Sequence, residues 1–62
     1  MKQKMKAYRG IYEVEMLESI HSLPANAEYR DTAYDVLNPF GGLTFVPVDI
    51  YAIDDVFYGV IR

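Results

Sequence analysis

PANAEYRDTAYDVLN, residues 24–38, carries two periods at once. Ala25, Tyr29, Ala33, Val36 and Leu37 recur at spacings of four, four, three and one, the apolar stripe of a helix. Pro24 suits a first helical turn, and Glu28 puts negative charge near the positive end of the helix dipole. Asn38-Pro39 followed by Gly41-Gly42 supplies a stop, because the residue before proline is pushed out of the helical region. Thr32, Tyr34 and Val36 also alternate with Ala33, Asp35 and Leu37, which is the period of a strand. The spacing favours a helix over Pro24–Asn38.

Downstream, LTFVPVDIYAIDDVFYGVIR (residues 43–62) is the apolar half of the chain. Thirteen of the 19 residues from Leu43 to Ile61 are apolar or aromatic, and Asp49, Asp54 and Asp55 are the only charges among them. Branched and aromatic side chains at this density fit a pleated surface. We read two strands, Leu43–Ile53 and Val56–Ile61, folded back at Asp54-Asp55. Thr44, Val46, Val48, Ile50 and Ala52 share one face of the first. Leu43, Phe45, Pro47, Asp49, Tyr51 and Ile53 share the other. Pro47 cannot donate to a ladder, so it marks an edge or a bulge.

Upstream, Tyr8, Gly10, Tyr12, Val14 and Met16 alternate with Arg9, Ile11, Glu13 and Glu15, which predicts a first strand over Lys6–Leu17, with Gly10 at a bulge or close approach and the turn toward Ser22 open to helix. The fold expected is α+β: a small antiparallel sheet of three strands in the order β-α-β-β, with one helix on one face. The alternative makes 32–37 a strand and Asn38-Pro39-Phe40-Gly41-Gly42 a hairpin loop, and turns the chain into a small SH3-like β-barrel. Residues 1–5 are expected to form a flexible basic tail and 6–62 a single domain.

A chain of 62 residues buries only about 60% of the surface its unfolded form exposes, so its core is thin. Such folds need a staple. Cysteine is absent and His21 is the only histidine, which excludes disulfides and a Cys/His zinc site. Association with another protein or with itself is the support that remains. A sheet covered by one helix buries one face only. At roughly 25 cal/mol per Å2, four or five exposed side chains on the other face forgo several kcal/mol. Phe45, Tyr51, Ile53, Phe57 and Tyr58 are the candidates for a partner-binding face. Of the six tyrosines, Tyr29 or Tyr34 with Tyr8 or Tyr12 are expected in the core.

Charge is unevenly laid out. Lys2, Lys4, Lys6 and Arg9 give residues 1–10 a charge of +4, while nine acids against Arg30 and Arg62 give residues 11–62 a charge of −7. An acidic body repels a nucleic-acid backbone, so no direct nucleic-acid partner is expected. No apolar run approaches the roughly 20 residues of a membrane helix, and no signal-peptide core follows the basic start, so the expectation is a cytoplasmic protein with no membrane partner. On the expected helix Glu28, Asp31 and Asp35 stand at i, i+3 and i+7, spaced like neighbouring phosphates. With Asp54 and Asp55 they are expected to form an acidic surface, and with Glu13, Glu15 and Glu18 one that imitates nucleic acid.

Catalytic chemistry is not legible. Gly41-Gly42 lacks the spacing and lysine of a phosphate loop, and His21 with Ser19 or Ser22 lacks an oxyanion hole and a cleft. Asp54-Asp55 reads as a turn rather than an ion site. No catalytic residue, cofactor or metal is expected, and the chain is read as a non-enzyme. The function expected is a small acidic protein-interaction module, a regulator or inhibitor that binds a larger protein through the apolar face of the C-terminal hairpin, and a homo-oligomer. The alternative is an acidic mimic of nucleic acid that blocks a nucleic-acid-binding protein.

Overall fold

The computed structural model describes residues 3–62 and contains five strands: β1 (Gln3–Ala7), β2 (Tyr12–Leu17), β3 (Glu28–Leu37), β4 (Phe45–Ile53) and β5 (Val56–Ile61). A single 3-10 turn, Ile20–Ser22, follows β2. The strands form one mixed sheet in the order β1-β2-β5-β4-β3. Neighbours are antiparallel except β2 and β5, which run parallel from Val14↔Phe57 to Leu17↔Val60. The sheet curls into a half-barrel.

This overturns the α+β expectation. Residues 24–38 hold no helix; Glu28–Leu37 is a ten-residue strand paired with β4 from Glu28↔Ala52 to Leu37↔Phe45. Of the two architectures weighed, the small barrel is the nearer. The helical spacing misled for a physical reason. Ala33 and Val36 are both buried and share the inner face, but a register shift between them does this rather than a helical turn. A bulge adds a residue to one strand and re-aims those around it, so i and i+3 meet on one side. The rest of the supposed stripe stands outside the core: Tyr29 and Leu37 are exposed.

Pro47 explains where the bulge falls. It lies between Val46 and Val48, whose partners are Val36 and Ala33, and so stands opposite the irregular pair Tyr34-Asp35. A residue without an N–H sits well where the ladder is already broken. Pro47 was expected to mark an edge or a bulge in its own strand; β4 is an internal strand and the extra residue lies in its partner β3.

The first strand expected over Lys6–Leu17 is a hairpin. Tyr8, Arg9 and Gly10 take φ of 52°, 58° and 78°, and the Ile11 N–H donates to the Tyr8 carbonyl at 3.1 Å. Gly10 thus belongs to a turn of left-handed residues, not to a strand bulge. Gln3, Lys4 and Met5, expected in the tail, pair with Met16, Glu15 and Val14. Met1 and Lys2 lie outside the described residues.

The expected parity of the C-terminal strands holds. Val46, Val48, Ile50 and Ala52 of β4 face inward, and Asp54, at φ 53°, turns the chain into β5 with Ile53 opposite Val56. The core gathers Ala7, Val14, Met16, Ala33, Val36, Val48 and Ile50, with Met5, Tyr12, Val46, Phe57 and Ile61 packed around it. Gly59 sits where β5 passes between β2 and β4. A Cβ there would come within 2.7 Å of Met16 Sδ and 2.9 Å of Val48 Cγ1, so the side chains of both neighbours close over it. The edge strands β1 and β3 lie in contact, and the turn after β1 is tied to β3. The Asp35 carboxylate accepts the Tyr8 N–H at 2.6 Å and also the Arg9 N–H.

Candidate interaction surfaces

The outer side of the sheet carries aromatic and polar rows that run across the strands. Tyr29 pairs with Tyr51 and Tyr51 with Tyr58. The Tyr29 and Tyr51 rings meet edge to face at 5.8 Å. In the next row Thr32 lies opposite Asp49 and Asp49 opposite Val60. The Tyr29 hydroxyl lies 2.5 Å from Thr32 Oγ1, which donates to Asp49 Oδ1 at 2.8 Å. Arg62 Nη2 donates to the same Thr32 oxygen at 3.1 Å and to Asp49 Oδ1 at 3.0 Å. The hydrogen bond and charge of Asp49 hold the Arg62 guanidinium above its ordinary pKa. The network satisfies Thr32, the one buried polar side chain among the described residues.

Of the residues expected to bind a partner, Tyr51, Ile53 and Tyr58 lie half-buried on this outer side and Phe45 is exposed at one end of it. Phe57 does not share the face. It pairs with Ala52, packs against the core and meets the Tyr12 ring edge-on at 4.9 Å. The expected tyrosine core is likewise corrected: Tyr8, Tyr29 and Tyr34 are exposed, and Tyr12 alone of the four packs on the core.

The acidic residues do not form the spaced face drawn for a helix. Glu28 is exposed at the start of β3, Asp31 accepts the Thr32 N–H at 2.8 Å, and Asp35 is tied to the β1–β2 turn. Asp54 and Asp55 form the exposed turn after β4, at the end where Glu28 pairs with Ala52 and far from Asp35. Hydrogen bonds from the Arg9 and Tyr8 amides hold the Asp35 carboxyl below the usual carboxylate range. His21 is exposed in the 3-10 turn, its N–H donating to Ser19 Oγ at 3.1 Å. Among the described residues no group of three His, Cys, Asp or Glu side chains is placed to hold a metal, and no helix is long and apolar enough to cross a membrane.

The tip of the β3–β4 hairpin exposes several large apolar side chains. Every residue from Phe40 to Phe45 is exposed, and a Cβ added at Gly41 would touch nothing, so the loop projects from the body. The Asn38 N–H donates to the Thr44 carbonyl at 2.9 Å, and Asn38 Oδ1 accepts the Phe40 N–H at 3.0 Å, which fixes the loop's shape. On it Leu43 is 91% exposed, Phe45 68%, Phe40 44% and Leu37 41%. Sequence reasoning singled out Phe45 and missed Leu37, Phe40 and Leu43. The signal was present: from Val36 to Val48 no residue is charged. The two acids that flank this stretch, Asp35 and Asp49, are both engaged inside the molecule. No family model, curated protein or solved structure matches the chain.

Proposed function

We propose that the protein is a cytoplasmic interaction module, a small regulator that acts by protein contact rather than by catalysis, and that its working surface is the β3–β4 hairpin tip. The observation that carries this reading is the exposure of Leu37, Phe40, Leu43 and Phe45 together on a projecting, charge-free loop. Single exposed apolar residues are ordinary on a protein surface; four on one loop mark a contact. Aromatic anchors ringed by uncharged residues are also the usual make-up of an interface centre. The absence of cysteine accords with a reducing compartment.

A photoreactive residue at position 43 of the full chain, activated in living cells, tests this. A discrete protein adduct that is weak or missing when the same group replaces Ile11 is the expected result. Ile11 is 65% exposed on the other hairpin and serves as the control. Equal, diffuse labelling from both positions overturns the reading.

A further inference from the structure

We propose that the occupant of the hairpin tip is a second copy of this chain, joined through a two-fold contact in which Leu43 and Phe45 of each copy cover those of the other. The inference rests on the reading of the tip as an interaction surface and adds the identity of what covers it. Charge is the first argument. The chain is net acidic at −3, with all its acids in residues 11–62 and Lys4, Lys6 and Arg9 on β1 and its turn, so two copies repel wherever their acids meet. The tip is a face where they need not. Residues 36–48 hold no charge, Asp35 is held by the Tyr8 and Arg9 amides, and Asp49 is paired with Arg62. A two-fold axis through this loop sets uncharged surface against itself, the self-complementarity such an interface needs.

Area is the second argument. At roughly 150–250 Å2 for a large side chain, the exposed fractions of these four leave about 500 Å2 per copy. With the loop backbone between them, the contact reaches the lower end of specific interfaces, about 600 Å2 per partner. An interface of this size belongs to the weak, transient class, so a reversible dimer is expected. The third argument is the core. Among the described residues the largest fully buried side chains are Ile50, Val14, Val36 and Val48, and neither a disulfide nor a Cys/His zinc site supplements them. A second copy is the staple such a small fold otherwise lacks.

Sedimentation equilibrium on the full chain, from about 10 µM to about 1 mM and at about 50 and about 500 mM salt, reads this directly. The expected result is a monomer–dimer equilibrium that salt leaves unchanged or strengthens, because salt screens only the repulsion between bodies. Leu43→Asp sets a carboxylate against its own copy and is expected to weaken the dimer at least tenfold. Ile11→Asp leaves it intact. Leu43 is 91% exposed, so Leu43→Asp keeps its fold, and an unchanged circular dichroism spectrum verifies this. A monomer at every concentration, or a dimer untouched by Leu43→Asp or dissolved by salt, overturns the proposal. The photoadduct from position 43 separates the two readings. An adduct of twice the chain mass supports the second copy. An adduct with a different protein, beside a monomer in solution, sinks the dimer and leaves the interaction module standing. Adducts with lipid alone sink both.

Discussion

Asp35 is a residue whose side chain is exposed and yet holds two strands in place. Its carboxylate fills the concavity made by successive amides of left-handed residues, a geometry suited to anions. Left-handed φ at Tyr8 and Arg9 is unfavourable for side chains with a Cβ, and the carboxylate offsets that cost. Asp35→Ala is expected to lower stability by about 1 kcal/mol, the scale of charge-assisted hydrogen bonds discounted for exposure. The same change should speed hydrogen exchange of the Tyr8 and Arg9 amides. The pH dependence has a definite sign. A carboxyl held below its ordinary value binds fewer protons in the folded state than in the unfolded one, so its contribution is complete above about pH 3.8 and is lost as pH falls below that. Urea midpoints between pH 2 and pH 6 check this: the wild type should lose more stability on acidification than Asp35→Ala does. A parallel loss in both would remove Asp35 from the latch.

Among the elements, β5 is the one the others depend on. It joins the β1–β2 hairpin to the β3–β4 pair, parallel to one neighbour and antiparallel to the other. Its Gly59 lets Met16 and Val48 pack across it. In Gly59→Ala the flexible Met16 can give way but Val48, held between β3 and β5, has less room. Overpacking of this kind costs about 1–3 kcal/mol, which thermal denaturation would read as a clear drop in midpoint. No change would mean that the core has slack here. At the β3–β4 hairpin the element-scale lesson is different. The strand alternative for 32–37 and the Asn-Pro-Phe-Gly-Gly turn were both legible, but the alternation drawn there, with Val36 and Ala33 on opposite faces, does not describe β3, where both face inward. The bulge was not legible as such. A register shift belongs to a pair of strands, and it shows in one strand's sequence only as a broken alternation, which a helix imitates.

For the whole molecule, a mixed half-barrel built mostly from contacts between distant residues should fold slowly for its size and show no helical minimum in far-ultraviolet circular dichroism. If the tip joins two copies, the dimer adds its binding energy to the folded state only, so the melting midpoint should rise with protein concentration. A midpoint independent of concentration in the wild type, as expected for Leu43→Asp, would count against a second copy.

By itself the sequence determined that residues 43–62 hold two strands folded at Asp54-Asp55, which residues of β4 share a face, and that the ladder is irregular near Pro47. These follow from side-chain shape, period and the missing proline donor, all of which are local. It also determined the charge-free stretch from Val36 to Val48. Only the tertiary structure decided between helix and strand at Glu28–Leu37, because pairing with β4 outweighs the weak local preference of a segment that carries both periods. The tertiary structure also placed Phe57 in the core and Phe45 in water, since curling the sheet closes one face and opens the other. It drew Asp35 out of the acidic surface and into a latch, which depends on a turn 26 residues away.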